Sequence, residues 1–240
     1  MRALLALPLL LGSLTAFAAP KPDDLAKAFE LAGVRLLCEQ SGPLLQRGAP
    51  ERYLKQLNKA FEADAMCRDL AAAVAPKVSA EQLAEVEAAL DSPLAQRFTA
   101  AERDVGEGLA SYRTQLASKP PRADRLDLVR RLDRAARTTD LAALLRYEVG
   151  KTLAMLTLRQ RGEKIGEKAL AEQTAKQAEG IRASSEQAVE SFMLYAYRQM
   201  PSDDVRAYAE LYERPAVKQL LELSLEALPG VFAKRRALLK

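Results

Sequence analysis

The stretch SAEQLAEVEAALDSPLAQRF, Ser79 to Phe98, reads as two amphipathic helices separated by a proline. Leu83, Val86 and Leu90 recur at helical spacing, the mark of one apolar face on a 3.6-residue period. Ser79 with Gln82 makes a capping box, and Ser92 followed by Pro93 is an N-cap with proline in the first helical turn, where no N–H is missed. A shift of 122 residues lays this stretch on PSDDVRAYAELYERPAVKQL, Pro201 to Leu220. Glu81 then meets Asp203, Leu83 meets Val205, Val86 meets Tyr208, Leu90 meets Tyr212, Asp91 meets Glu213, Pro93 meets Pro215 and Phe98 meets Leu220. Both copies run acidic cap, helix, acidic residue, proline, helix. Pro93 and Pro215 are expected to start the second helix of each unit, with Leu90, Phe98, Tyr212 and Leu220 packing the corner.

Helical periodicity extends through nearly all of the chain, and no alternating run bounded by turns suggests a sheet. Leu, Ala, Glu, Lys, Arg and Gln dominate, as in helical proteins. The pattern predicts an all-α bundle of about eight to ten helices built from two related halves. Helices are expected at 23–40, 51–75, 80–91, 93–117, 123–137, 139–160, 163–199, 202–213, 215–228 and 230–239. The breaks fall at SGP (Ser41–Pro43), GAP (Gly48–Pro50), KPP (Lys119–Pro121) and MPS (Met200–Ser202), where proline removes a donor or restricts its predecessor. Lys119–Pro121 divides the halves, giving a first unit over 19–119 and a second over 120–240. Upstream of the proline units, DLAKAFELAG (Asp24–Gly33) can be set against RLDLVRRLDR (Arg125–Arg134). The second half is longer by about twenty residues, assigned to the polar stretch Gly162–Gln187 in a long helix that either packs or projects.

The two proline units resemble the signature of a family of secreted bacterial helical proteins known only as a domain of unknown function. In that signature an aromatic residue or leucine precedes x-Ser/Thr-Pro-x-Gly-x-Lys/Arg. Here it reads LDSPLAQR (Leu90–Arg97) and YERPAVKQ (Tyr212–Gln219), with the glycine replaced by Ala95 and Val217 and no Ser or Thr before Pro215. The resemblance implies an exported all-helical protein with no assigned activity.

The first residues, MRALLALPLLLGSLTAFAAP, carry Arg2, an apolar stretch and small residues, the layout of a secretory signal peptide over 1–18 cleaved after Ala18. Its apolar run falls short of the roughly 18 to 20 residues of a membrane span. No cysteine follows within it, so the expected product is a soluble periplasmic protein rather than a lipoprotein. The formal charge of +4, lowered by one with Arg2, is too mild and too dispersed for a nucleic-acid binder. Cys38 and Cys67 are the only cysteines. In an oxidising compartment they read as a disulfide, stabilising by about 3 to 4 kcal/mol in the chain-entropy model, or else as two buried free thiols. A simple antiparallel hairpin would place Cys67 well beyond Cys38, so the segment SGPLLQRGAP must add length or a short helix for them to meet.

The chain has no histidine, which excludes Ser-His and Cys-His nucleophile activation and imidazole zinc sites. It has no Ser-x-x-Lys, EF-hand loop or phosphate-cradling glycine loop. Carboxylates such as Glu81, Glu85 and Glu87 fall on polar helix faces. Arg130, Arg134 and Arg137 align along one helix face, which could meet an acidic partner but reads first as a salt-laced solvent face with Asp127–Arg131 and Asp133–Arg137 as intrahelical pairs. Late aromatics, Tyr208 and Tyr212 among them, suit core packing or a tyrosine-lined interface or ligand groove. The expectation is a non-catalytic periplasmic protein that binds another cell-envelope protein. It uses no cofactor or metal and makes at most peripheral contact with the membrane. The alternative is a carrier of an apolar ligand or lipid in a groove between the halves, and an enzyme of unrecognised type comes third.

Overall fold

A computed structural model describes residues 20–116 and 118–239, and among these every regular element is helical. The signal peptide expected over 1–18 lies outside the described residues. No described helix is long and apolar enough to cross a membrane. The first half contains α1 (Ala26–Leu31), α2 (Val34–Gly48), α3 (Leu54–Ala60), α4 (Ala63–Val74), α5 (Ala80–Leu90), α6 (Pro93–Arg103) and α7 (Gly108–Leu116). The second contains α8 (Ala123–Ala136), α9 (Thr138–Gln160), α10 (Glu167–Thr174), α11 (Ala178–Ala196), α12 (Ser202–Tyr212) and α13 (Pro215–Arg236).

The proline units are built as their sequence implies. Helices α5 and α12 start and stop at the same 122-residue shift, and Pro93 and Pro215 each open the next helix. Ser79 Oγ accepts the Gln82 N–H while Gln82 Oε1 accepts the Ser79 N–H, closing the capping box. Ser92 Oγ accepts the Ala95 N–H at 3.4 Å, whereas Arg214 places no side-chain cap on α13. Leu90, Phe98, Tyr212 and Leu220 are all buried at the corners. Replacing Ser79 by Ala is expected to cost about 1 kcal/mol, read as a lowered denaturant midpoint. Replacing Pro93 by Ala should cost less, because its effect comes mainly through the unfolded chain.

The two units face one another in a reciprocal way. Gln82 donates to Gln219 at 2.5 Å, and Arg97 bonds Asp204 at 2.9 Å. The 122-residue shift exchanges these two pairs, the pattern a two-fold interface produces. Accordingly α6 packs on α12 as α5 packs on α13. The relation continues upstream: α1 packs on α5 as α8 does on α12, and Lys27–Asp91 (3.0 Å) is matched by Arg131–Glu213 (2.7 Å). It also corrects a register, because Lys27 corresponds to Arg131 and Gly33 to Arg137, three residues later than the pairing of 24–33 with 125–134 implies. Gly33 (φ 73°) and Arg137 (φ 55°) are the left-handed corners that turn α1 into α2 and α8 into α9. Glycine takes this conformation freely. Arg137 is held there with the help of Asp133, whose carboxylate accepts both the N–H and the hydroxyl of Thr139. The two halves share one hydrophobic core rather than folding around separate ones.

Several expected boundaries move for local reasons. Gly33 splits 23–40, a short loop after Ala60 splits 51–75, and Asp104–Glu107 interrupts 93–117. Proline does not break helices where tertiary packing holds them: α2 runs through Pro43, and α13 through Pro229, merging 215–228 with most of 230–239. On α2 the buried face Leu37, Cys38, Ser41, Gly42 and Leu45 spans the proline, and a side chain at Gly48 would meet Leu153 at 2.7 Å. The long helix expected over 163–199 is two helices, α10 and α11, packed on the bundle rather than projecting. Leu170 is buried, and Glu167 reaches Lys151 and Arg236, both at 2.6 Å.

The basic C-terminal end is tied to the rest of the fold by ion pairs, with Arg235 and Arg236 buried and Lys234 exposed. Arg236 bonds Glu148 at 2.6 Å, and Lys234 and Arg235 both pair with Asp69.

Candidate functional site

Helix α12 turns Val205, Tyr208, Ala209 and Tyr212 toward the interior, so the two tyrosines are buried in the core, the first of the two placements the sequence suits, rather than displayed on an interaction surface. Tyr208 stacks on Phe98 of α6 with ring centroids 4.2 Å apart, and Tyr197, at the end of α11, meets Phe98 at 4.9 Å. Four residues after Phe98, and therefore on the same face of α6, comes Glu102. Its carboxylate accepts the Tyr197 hydroxyl at 2.5 Å, and the hydroxyls of Tyr208 and Tyr212 lie 3.3 Å apart.

These groups surround a cavity of about 110 Å³. It is closed by Leu132, Leu141 and Met193 and borders both helix corners, at Ala32–Gly33 and at Ala136 and Thr138. No Lys or Arg lines it. A wider groove of about 480 Å³, also lined by Gly33, Glu102 and Tyr212, leads outward past Leu31, Leu36 and Phe192. Leu36 is 52% exposed at this rim, one of only two large hydrophobic residues so placed among the described residues. Glu30, Glu39 and Arg103 line the groove as well.

Burial raises the Glu102 carboxyl above the usual carboxylate range, against the opposing pull of the Tyr197 hydroxyl and the Arg103 charge. Burial likewise pushes Tyr197 and Tyr208 well above the ordinary phenol value and Tyr212 up to about 12. The phenols therefore stay protonated as hydrogen-bond donors, while Glu102 is an acid whose ionised form lacks a cationic partner within the cavity. A carboxylate with aromatic rings around it is suited to receive a cation. Glu102 was missed in the sequence because AAERD reads as an ordinary polar helix end. The signal was its spacing from Phe98.

The remaining residues singled out in the sequence lie elsewhere. Arg130 bonds Glu190 at 2.8 Å and Arg137 pairs with Asp140 at 3.1 Å, so two of the three aligned arginines are spent on neighbouring side chains while Arg134 is exposed. The expected Asp127–Arg131 and Asp133–Arg137 pairs give way to contacts between helices: Arg131 forks onto Glu213, and Asp133 caps Thr139. Interhelical partners win because the tertiary fold brings full carboxylates and backbone donors within reach.

Ser92 caps α6, and Pro93 and Pro215 occupy the first turns of α6 and α13. Cys38 and Cys67 are brought together but are free thiols, not the expected disulfide. The antiparallel geometry that made their meeting difficult does not arise. Arg35–Asp64 and Cys38–Cys67 step in the same direction along α2 and α4, so these helices run in the same sense where they touch, with α3 as the return. Compared with known proteins, the chain matches no family model, no curated protein and no solved structure.

Proposed function

We propose that the protein is a non-catalytic binder of a small amphipathic amine, taken up between the two halves with its ammonium group at Glu102 and its apolar part along Leu31, Leu36 and Phe192. The observation that supports this most is Glu102 itself. It is a half-buried acid in an aromatic cavity that supplies phenolic donors and no basic side chain. A cation entering the cavity completes the pair that the fold leaves open, and a charge-assisted contact of this kind contributes about 1.5 to 3 kcal/mol. The groove gives the ligand its apolar contacts, as binding sites generally combine an apolar lining with few polar anchors. A periplasmic location is part of the same proposal and is supported by the leader-like composition of segment 1–18. Docking of an envelope protein has a narrower footing, in the exposed Leu36 and Arg134.

Calorimetric titration with n-hexylammonium, with n-hexanol and hexanoate as neutral and anionic controls, tests the reading. Binding of the ammonium alone is expected, and Glu102→Gln should weaken it about ten- to a hundredfold. Equal binding of hexanol and hexylammonium would refute the assignment. Stability separates a binding role from a structural one. Glu102 binds its proton more tightly folded than unfolded, so its contribution to stability is full below the ordinary carboxylate range and falls as pH rises toward its raised folded value. At neutral pH, Glu102→Gln should therefore leave the melting temperature unchanged or higher while binding is lost.

A further inference from the structure

A second chemical site lies where α1, α2 and α4 meet. Cys38, on α2, is 1% exposed, with its sulfur 3.9 Å from the Val34 carbonyl oxygen. Beside it Cys67, on α4, is only partly buried. Cys67 lines a separate pocket of about 190 Å³ with Pro22, Ala26 and Phe29 as apolar walls, Arg35 and Arg68 as its cations and Asp23 and Asp64 as its carboxylates. Arg35 is committed to Asp64 and Glu39, but Arg68 is exposed and has no ion pair or hydrogen bond among the described residues. The two thiols are therefore unequal: one is reachable through a pocket bearing an available guanidinium, and its neighbour is enclosed behind it.

We propose that Cys67 and Cys38 form a thiol–disulfide exchange site for a low-molecular-weight peptide disulfide bearing carboxylates, with Cys67 as the attacking sulfur and Cys38 as the resolving one. The Cys67 thiolate attacks one sulfur of the disulfide. A Cys67–S bond forms, the substrate S–S bond breaks, and the departing thiolate takes up the proton that Cys67 gave up. Cys38 then loses its proton and attacks the Cys67 sulfur. The Cys38–Cys67 bond forms and the second substrate thiolate leaves, taking that proton. The two protein thiols are oxidised by two electrons, and one substrate disulfide is reduced to two thiols. Arg68 receives a substrate carboxylate, and the walls formed by Ala26 and Phe29 hold its apolar part.

The electrostatics run the same way. The hydrogen bond from Cys38 and the Arg35 charge lower Cys67 despite its partial burial, while the contact with Cys67 and burial raise Cys38. Thiolate character at the accessible sulfur is what initiates exchange.

The test uses the full chain and oxidised glutathione as probe. In the reduced wild-type protein, iodoacetamide should modify Cys67 roughly tenfold faster than Cys38, resolved by peptide mass. Graded mixtures of oxidised and reduced glutathione should interconvert the dithiol and the Cys38–Cys67 bridge reversibly. Cys38→Ser should accumulate one glutathione per chain at Cys67, Cys67→Ser should accumulate none, and Arg68→Ala should slow the first step with glutathione more than with an uncharged disulfide. Two thiols that stay unmodified and unoxidised would overturn the proposal, as would a bridge that excess reduced glutathione leaves closed. The wild-type alkylation rates decide the matter even if the Cys38 variant folds poorly.

Discussion

Replacing Arg236 by Met should lower the stability of the folded chain by about 3 to 5 kcal/mol, among the largest effects of any single substitution in this protein. Arg236 is 2% exposed, yet it is fully engaged. Its guanidinium bonds Glu148 at 2.6 Å, Thr152 at 3.2 Å and Glu167 at 2.6 and 3.1 Å, tying α13 to α9 and α10. Methionine fills much of the volume but leaves the buried Glu148 carboxylate with only Lys151, at 3.7 Å. The cost arises from that stranded charge rather than from lost packing. The double variant Glu148→Gln with Arg236→Met should therefore recover a large part of the loss, a non-additivity that denaturant titration resolves.

The same cluster sets an acid limit. Partial burial alone would raise Glu167, but Arg236 and Lys151 together hold it below the usual carboxylate range. Its contribution is present above the unfolded carboxylate value, about 4, and is lost as pH falls through the depressed folded value.

Replacing Phe98 by Ala should cost about 3 to 5 kcal/mol, for a different reason. Phe98 is fully buried where the two proline units meet, with Tyr208 stacked on it and Tyr197 tilted against it. Truncation removes apolar surface and leaves a void between two large rings that cannot both collapse into it. It also enlarges the cavity around Glu102, so any surviving folded protein should bind hexylammonium more weakly. The neighbouring Arg97→Ala change provides the contrast. It removes an exposed ion pair with Asp204 and should cost less than about 1 kcal/mol. Chemical denaturation of both variants measures the difference between core and surface at adjacent positions.

The helix–Pro–helix units were legible because each signal is local: a capping box, a proline in the first turn and apolar residues on one face. The reciprocal contacts Gln82–Gln219 and Arg97–Asp204 obey the same 122-residue shift, but only the structure brings them to light, because no residue pattern announces which helices meet. The upstream register was misread by three residues because the second left-handed corner carries Arg137, not glycine, so the corner left no mark in the sequence. Pro43 and Pro229 misled in the opposite direction. Proline weakens a helix locally, but the buried faces of α2 and α13 outweigh one missing hydrogen bond.

The candidate site was half legible. Tyr208 and Tyr212 were singled out, as core packing or as a tyrosine-lined interface or groove. Glu102 looked like one more solvated carboxylate until α11 and α12 enclosed it. Burial of a charged residue depends on which helices pack together, and that is a property of the tertiary fold.

Proton linkage reads the arrival of an ammonium group at Glu102. Calorimetric titration of the full chain with n-hexylammonium in buffers of differing ionisation enthalpy gives the number of protons released on binding. Because the free carboxyl is raised and the bound cation favours its ionised form, the account predicts release of up to one proton near the Glu102 titration. Affinity should rise with pH through that range, and both effects should vanish in Glu102→Gln. Hexylammonium binding that releases no proton at any pH and is unchanged in Glu102→Gln would contradict the account.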